Sequence, residues 1–249
     1  MVSLSVVMIV KNEAERLQKC FAQLDWVSEI LVLDTGSSDS TPFLAAKLGA
    51  SVHHQGQWQG FGLARQQAVS LATNDYVFSL DADEIVSESL KAEIVALMQR
   101  DFMGCAYRVP VKSYYLGKPI RFCGWQNEKH LRIFDRRLGN YNEALVHESV
   151  NTTQAIRELK SCLFHHTYPT KAVHKAKMKL YGDLGARKML ARGKSSSPFV
   201  AIMHGCFTFI KMFLLQLGFL DGWCGFLLCK TTAWGTWYKY FKLWKLNAS

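Results

Sequence analysis

Several features that would name a function at once are missing from this chain. Its seven cysteines form no Cys-x-x-Cys pair, and any complete disulfide scheme leaves one over. A chain of 249 residues buries a core without staples, so a reducing compartment is the simpler expectation. No Gly-x-Gly-x-x-Gly follows the first apolar run, and no Gly-x-x-x-x-Gly-Lys-Ser/Thr occurs anywhere. A dinucleotide-binding fold and a P-loop nucleotidase are both disfavoured. The histidines lack His-Glu-x-x-His spacing, so a zinc peptidase has no support. The start, MVSLSVVMIVKNE, has no basic segment before its apolar run and no small-residue cleavage site after it. It is expected to be a buried first strand, not a signal peptide. With 49% hydrophobic and 20% charged residues, disorder and coiled-coil classes fit poorly. Acidic charge is scarce in one part only. Residues 160–249 carry 14 basic and 2 acidic side chains, a net of +12, whereas residues 1–159 carry 16 and 18, a net of −2. The overall +10 belongs to the tail.

What is present first is a regular alternation. SLSVVMIV (3–10), EILVLD (29–34), SVHH (51–54) and DYVFSLDADE (75–84) read as strands. EAERLQKCFAQL (13–24), TPFLAAKLG (41–49), GLARQQAVSLA (62–72) and SLKAEIVALMQR (89–100) read as helices between and after them. Strand–helix units with such short connections predict an α/β chain with an open, mostly parallel sheet and helices on both faces. Ligands bind such sheets outside the carboxyl ends of the strands, which is where Asp34 and Asp81 stand. From about residue 104 the segments become short and aromatic-rich, predicting added strands of the same domain. Residues 171–192 read as a basic helix, and Pro198 marks a boundary after the GKSSSP break.

The strongest local signal is Leu80-Asp81-Ala82-Asp83-Glu84, directly after an apolar strand. Alternation along an extended backbone puts Asp81 and Asp83 on one side, where both approach one divalent cation. Hard oxygen donors suit Mg²⁺ or Mn²⁺, which also bridge diphosphate oxygens. A solvated acidic loop that caps the helix starting near Ser87 is the plainer alternative. Asp34-Thr35-Gly36-Ser37-Ser38-Asp39 is the second constellation: Gly36 frees the backbone, and Asp34 is placed to accept hydrogen bonds from a ribose or a base. Helix capping is the competing role for Asp39 or Ser40.

Together, SVVMIVKNEAERL, EILVLDTGSSDST and WQGFGLARQQAVSLATNDYVFSLDADE resemble the inverting glycosyltransferases of family 2, which have the GT-A fold. Within that family the likeness is to small bacterial enzymes that add a β-linked hexose, usually glucose, to the heptose region of the lipopolysaccharide core. It covers Leu4 to about Tyr168. The resemblance implies a catalytic domain over 1–170, with a nucleotide-sugar half to about 100 and an acceptor half after it. It implies that Lys11, Asn12 and Glu13 lie beside the nucleotide, and that Asp34 meets the uridine of a UDP-sugar while Gly36 and Asp39 shape its loop. Asp81 then faces ribose or sugar, and Asp83 holds the cation beneath the diphosphate. Trp58, Gly60 and Gly62 precede a helix near the donor, and the role of Arg65 is open. Gly124-Trp125, Leu131–Phe134 and Val146-His147-Glu148 form the acceptor-side wall. The Gln-x-x-Arg-Trp signature of processive members is absent, which argues for addition of a single sugar.

Inverting transfer needs a base at the acceptor hydroxyl and positive charge at the leaving diphosphate. Glu148 is the expected base, a surface carboxylate its alternative, and Glu84 and Glu128 the runners-up. His147 orients Glu148, touches the diphosphate or completes the metal shell, with His165 as a substitute. Arg132 suits a diphosphate or an acceptor phosphate; a salt bridge to Asp135 competes. Trp125 stacks on a sugar face or belongs to the core.

Residues 199–229 are the most apolar part of the chain, but Lys211, Gln216 and Asp221 interrupt them. The expectation is a 171–249 tail that lies on the cytoplasmic face of the inner membrane without spanning it. Trp234, Trp237, Tyr238, Phe241 and Trp244 form one helical stripe that would set its depth. Packing of that stripe on the core or on a second copy of the chain is the alternative. Two other classes compete: a nucleic-acid or anionic-surface binder, which leaves the acidic strand ends unexplained, and a sugar-phosphate nucleotidyltransferase, which wants a glycine-rich basic loop near the start.

Overall fold

The computed structural model describes residues 2–145 and 148–247. The chain forms two compact units, Met1–Val111 with Asn127–His165, and Lys112–Gln126 with His166–Ser249. The first opens with β1 (Leu4–Val10), α1 (Ala14–Phe21), β2 (Glu29–Asp34), α2 (Thr41–Lys47), β3 (Ser51–His54) and α3 (Phe61–Leu71). Then come β4 (Tyr76–Ser79), β5 (Glu84–Val86), α4 (Glu88–Met98) and β6 (Ala106–Tyr115), whose end and the short β7 (Lys118–Pro119) belong to the second unit. β8 (Lys129–Asp135), β9 (Gly139–Tyr141), β10 (Val150–Thr152), β11 (Ile156–Glu158) and β12 (Leu163–Tyr168) complete the strands. The main sheet runs β3-β2-β1-β4-β8-β6-β12-β5. Its β3, β2, β1 and β4 part is parallel, while β8 joins β4 and β6 antiparallel.

The near-continuous apolar run of β1 follows from burial on both faces. Leu4, Val6, Met8 and Val10 pack with Leu17 of α1, Ala45 of α2, and Leu90 and Ile94 of α4. Val7 points the other way, toward Leu31, Leu33 and the Ala64, Ala68 and Val69 face of α3. Helices therefore cover both faces, as expected of the GT-A class. In register, Val10 pairs with Asp34 and Val7 with Ser79, so β2 and β4 deliver their carboxylates to the same edge.

The predicted strand over 75–84 is broken. The N–H of Glu84 donates to the carbonyl of Asp81 at 3.0 Å, so Asp81–Glu84 is a turn between β4 and β5. Alternation therefore does not govern the two aspartates; the turn and its partners do.

The second unit holds α5 (Lys171–Ala191), α6 (Pro198–Ile210) and α7 (Gly222–Asn247), with a π-helical turn, Lys211–Leu215, ending α6. Its core joins Leu228 and Cys229 of α7 to Tyr115, Cys123 and Tyr168. The aromatic stripe of α7 is half-buried rather than laid open. Glycines let it pack inward: a Cβ on Gly205 of α6 would stand 3.0 Å from the Cβ of Trp237, and one on Gly182 of α5 would stand 2.7 Å from the Tyr238 ring. Packing on neighbouring helices, the alternative to a membrane-facing role, is made by Trp237 and Tyr238 of this stripe.

His174 of α5 is fully buried in this core, stacked 4.1 Å from Tyr168, with Nδ1 3.2 Å from the Tyr115 hydroxyl. Burial, with Lys177 adding to it, pushes its imidazole from 6.5 down to about 4. The unfolded chain thus binds a proton first, and stability falls as pH drops from about 6.5 to about 4. The difference corresponds to ~3 kcal/mol at most. Urea melts of wild type and His174→Phe at pH 7 and 4.5 are the check. The variant is expected to lose this acid-sensitive part, and equal acid sensitivity in both proteins would assign it elsewhere.

Candidate active site

The loops after β1 and β2 are laced together by short polar side chains. Asn12, at φ 56°, accepts from the Ser38 N–H at 2.8 Å, and its own N–H donates to the Ser37 hydroxyl at 2.9 Å. Asp39 accepts from the Thr41 N–H at 3.0 Å, and the Glu13 N–H donates to the Thr41 hydroxyl at 2.8 Å. Asp39 is thus a loop brace, close to the capping role weighed for it. Asp34 is buried at the end of β2 and accepts from the Gly36 and Ser37 N–H groups at 3.3 and 3.2 Å, with His54 Nδ1 3.4 Å away. Burial would raise its pKa, but these donors outweigh it and hold the carboxyl below the ordinary value. Gly36, at φ 97°, makes the tight turn that aims those N–H groups. Lys11 lies exposed beside this loop, and Glu13 pairs with Arg16 at 2.7 Å.

At the end of β4, two buried arginines organise the acidic turn. Arg65 of α3 donates from Nη2 to Asp81 at 2.7 Å, from Nε to Glu148 at 2.7 Å and from Nη1 to Ser79 at 3.1 Å. Arg132 of β8 donates to Asp81 at 3.1 Å and to Glu84. The Asp81 N–H in turn donates to Glu84 at 3.0 Å. Burial alone would raise Asp81, but the two guanidiniums hold its carboxyl far below the usual range. Glu84, fully buried, is pushed up by burial and by Asp81 against the pull of Arg132. Asp83 lies 3.4 Å from His165 Nε2 and 3.9 Å from Arg16. Burial would lower His165, but the Asp83 carboxylate lifts it above the ordinary imidazole value.

The loop that carries Glu148 is docked on the first turn of α3. The Phe61 and Gly62 N–H groups donate to the carbonyls of Leu145 and Ala144 at 3.2 and 3.0 Å. A Cβ on Gly62 would lie 2.1 Å from the Asn142 carbonyl, so the close crossing requires glycine there. This is the reason for the Gly-Phe-Gly spacing, and it explains how residues 83 positions apart meet at Arg65 and Glu148.

Asp81, Arg132 and Glu148 thus converge, lining one open cleft of about 470 Å³ together with Arg65 and His165. His147 lies outside the described residues. Trp125 belongs to the second unit, where its ring sits 6.3 Å from Tyr168. Asp135 pairs with Arg137 at 2.6 Å, so the competing salt bridge to Arg132 is not made. Glu128 is 2.9 Å from His130. Arg65 is the residue whose role sequence reasoning left open. Its signal was a cation on the buried Ala64–Ala68 face of a helix, which demands buried carboxylate partners.

Among the described residues no three His, Cys, Asp or Glu side chains converge as a ready-made metal site. Mg²⁺ needs only one or two carboxylates when water and substrate phosphates complete its shell. Asp83 supplies the one carboxylate which that smaller demand asks for, with His165 3.4 Å beside it.

The profile of glycosyl transferase family 2 matches residues 5–158, more than half of the chain. The chain belongs to that family. An uncharacterized glycosyltransferase of Rickettsia prowazekii is 26% identical over 241 residues, covering 91% of this chain and 82% of that protein. The lipopolysaccharide core biosynthesis glycosyltransferase LpsC of Rhizobium meliloti is 24% identical over 92% of this chain and 87% of its own. A TPR repeat-containing protein of Synechococcus elongatus is 47% identical over 85 residues, 34% of this chain but only 21% of that protein. Among solved structures, S. aureus TarS 1-349 in complex with UDP is similar at a TM-score of 0.48 and 15% identity, over 99% of this chain and 91% of that one. In the family 2 frame, residues 5–158 take in Asp34, Asp81, Asp83, Arg132 and Glu148.

Proposed function

We propose that the chain is an inverting glycosyltransferase that moves one hexose, glucose in β-linkage, from a UDP-sugar to a heptose-containing lipopolysaccharide core acceptor. The observation that carries this reading is the buried Arg65, which ties Asp81 at the end of the β4 strand to Glu148 of the later loop at 2.7 Å each. LpsC, similar along most of its length, supports the acceptor class. Residues 1–170 would be the catalytic portion and 171–249 an accessory tail on the cytoplasmic face of the inner membrane, near its lipid-linked acceptor.

In this reading Asp34 receives the uridine, and Lys11, Asn12, Glu13, Gly36 and Asp39 frame it. Asp83, with Asp81 and with His165 or His147, would hold Mg²⁺ or Mn²⁺. That ion, when bound, supplies positive charge to the leaving diphosphate. Arg132 and Arg65 add fixed positive charge on the same side. The acceptor oxygen attacks the anomeric carbon, the bond from that carbon to the diphosphate oxygen breaks, and UDP leaves with the electron pair. The acceptor proton passes to the Glu148 carboxylate.

The test is incubation with a panel of UDP-hexoses and defined core acceptors, followed by mass and linkage analysis. One β-linked hexose per acceptor with release of UDP is expected. Pyrophosphate release from a nucleoside triphosphate and a sugar phosphate would point to a nucleotidyltransferase instead, and no transfer from any donor would overturn the reading.

A further inference from the structure

α6 is packed inside out for a helix in water. Its buried side is made of the small residues Ala201 and Gly205, and Gly205 lies against Ala233 and Trp237 of α7. Its large apolar side chains, Ile202, Met203, Phe207 and Ile210 among them, are exposed, and Phe199 is 70% exposed. The exposed apolar surface runs on through the π-helical turn, where Leu215 is 72% exposed, past Phe219 and Leu220 to Trp223 at the start of α7, 67% exposed. The 18-residue stretch Pro198–Leu215 has a mean hydropathy of 1.7, yet only 17% of it is buried. Water does not select this arrangement, since burying the large side chains and exposing the small ones is the favourable choice. Helices in lipid do the reverse: small residues bring backbones together and large apolar ones face the acyl chains.

Charge identifies the occupant further. Basic side chains outnumber acidic ones by 14 to 2 over residues 160–249. Both acidic ones are engaged: Asp183 with Lys179 at 3.1 Å and the Tyr238 hydroxyl at 2.9 Å, Asp221 with the N–H groups of Arg121 and Phe122 at 3.0 and 2.9 Å. An apolar face in a cationic setting with its carboxylates satisfied is complementary to an anionic leaflet.

We infer that the outer face of α6 and the 214–223 turn insert into one leaflet of an anionic bilayer, and that the aromatic stripe of α7 does not. The inference rests on the membrane placement in the proposed function and names the surface that makes it. At 1.5 Å per residue, Pro198–Leu215 is about 27 Å long, enough to lie in the interface and just short of a hydrocarbon core. Lys211, exposed near the end of α6, keeps its ammonium at headgroup level from such a position.

Flotation of the full-length protein tests this, with phosphatidylethanolamine–phosphatidylglycerol vesicles and with phosphatidylcholine vesicles. Wild type is expected to float with both, more strongly with the anionic ones, and salt should remove only part of the binding. Leu215→Glu combined with Trp223→Glu should lower the bound fraction at least tenfold while leaving the thermal melt unchanged. Trp223→Phe should lose quenching of tryptophan fluorescence by brominated lipid, and Trp237→Phe should keep it. Failure of wild type to float, undiminished flotation of a folded double variant, or quenching that follows Trp237 would each overturn the inference. Loss of a dimer in the double variant, with no vesicle binding by wild type, would assign the face to self-association and overturn it equally. Transfer to a detergent-dispersed acceptor, measured in parallel, separates this failure from a failure of the glycosyltransferase reading.

Discussion

Asp83→Ala is expected to abolish metal-coupled UDP binding and to lower sugar transfer by about 10²-fold or more, on the scale of a lost charge-stabilising group, while the protein stays folded. The reason lies in how differently the two aspartates of the Asp-Ala-Asp segment are held. Asp81 is the shared partner of two buried guanidiniums, and removing it would leave an N–H group of each unpaired, with Glu148 the one carboxylate left on Arg65 and Glu84 on Arg132, a change that costs ~3–5 kcal/mol in comparable buried pairs. Asp83 is held differently, 3.4 Å from His165 Nε2 and 3.9 Å from Arg16. Its loss leaves the pairs from Arg65 to Asp81 and Glu148, and from Arg132 to Asp81 and Glu84, in place. The measurement is calorimetric titration of UDP with and without Mn²⁺, alongside a thermal melt. Undiminished metal-coupled UDP binding by the folded variant would sink the assignment. Asp81→Ala should differ in kind, lowering the melting temperature as well as activity.

The alternation of strands and helices was legible because each element announces itself locally. Leu4–Val10 is an uninterrupted apolar run, Pro42 starts α2 and Gly49 stops it, and Leu17, Cys20 and Phe21 share one buried helical face. The strand ends followed from topology, and Asp34 and Asp81 were found there. The turn at Asp81–Glu84 was not legible, because Tyr-Val-Phe-Ser-Leu continues into Asp-Ala-Asp-Glu without a glycine or proline to mark the break. What bends the chain is long-range: Arg65 and Arg132 reach Asp81 from 16 and 51 positions away and gather the carboxylates of that turn.

The tail was harder to read for the opposite reason. An aromatic stripe on a helix has the same spacing whether it meets lipid or a neighbouring helix, so Trp234 to Trp244 carried no direction. The direction was written in the partners. Gly182 and Gly205 sit where Tyr238 and Trp237 need room, and Gly235 sits where a Cβ would stand 2.8 Å from the Met178 Cβ. Small residues spaced along α5, α6 and α7 mark buried helix seams. By elimination, the large apolar residues of α6 are left outside.

For Glu148→Gln the expected loss in kcat is again about 10²-fold, the scale of a positioned proton acceptor, with UDP-sugar binding close to wild type. The amide is the informative choice because its oxygen still accepts from Arg65 Nε, now at 2.7 Å from the carboxylate. Position is retained and only the capacity to take a proton is removed. Glu148→Ala would instead leave a buried guanidinium nitrogen unpaired and confuse stability with chemistry. The two rival carboxylates are held less suitably. Both oxygens of Glu84 are engaged, one by Arg132 and one by the Asp81 N–H, and the side chain is fully buried. Glu128 lies 2.9 Å from His130 Nε2 in an exposed position. Steady-state rates at saturating acceptor, with donor affinity measured separately, decide the matter. A near-wild-type kcat for Glu148→Gln would move the proton to Glu84 or Glu128, and the Arg65 contact to Glu148 would then be structural.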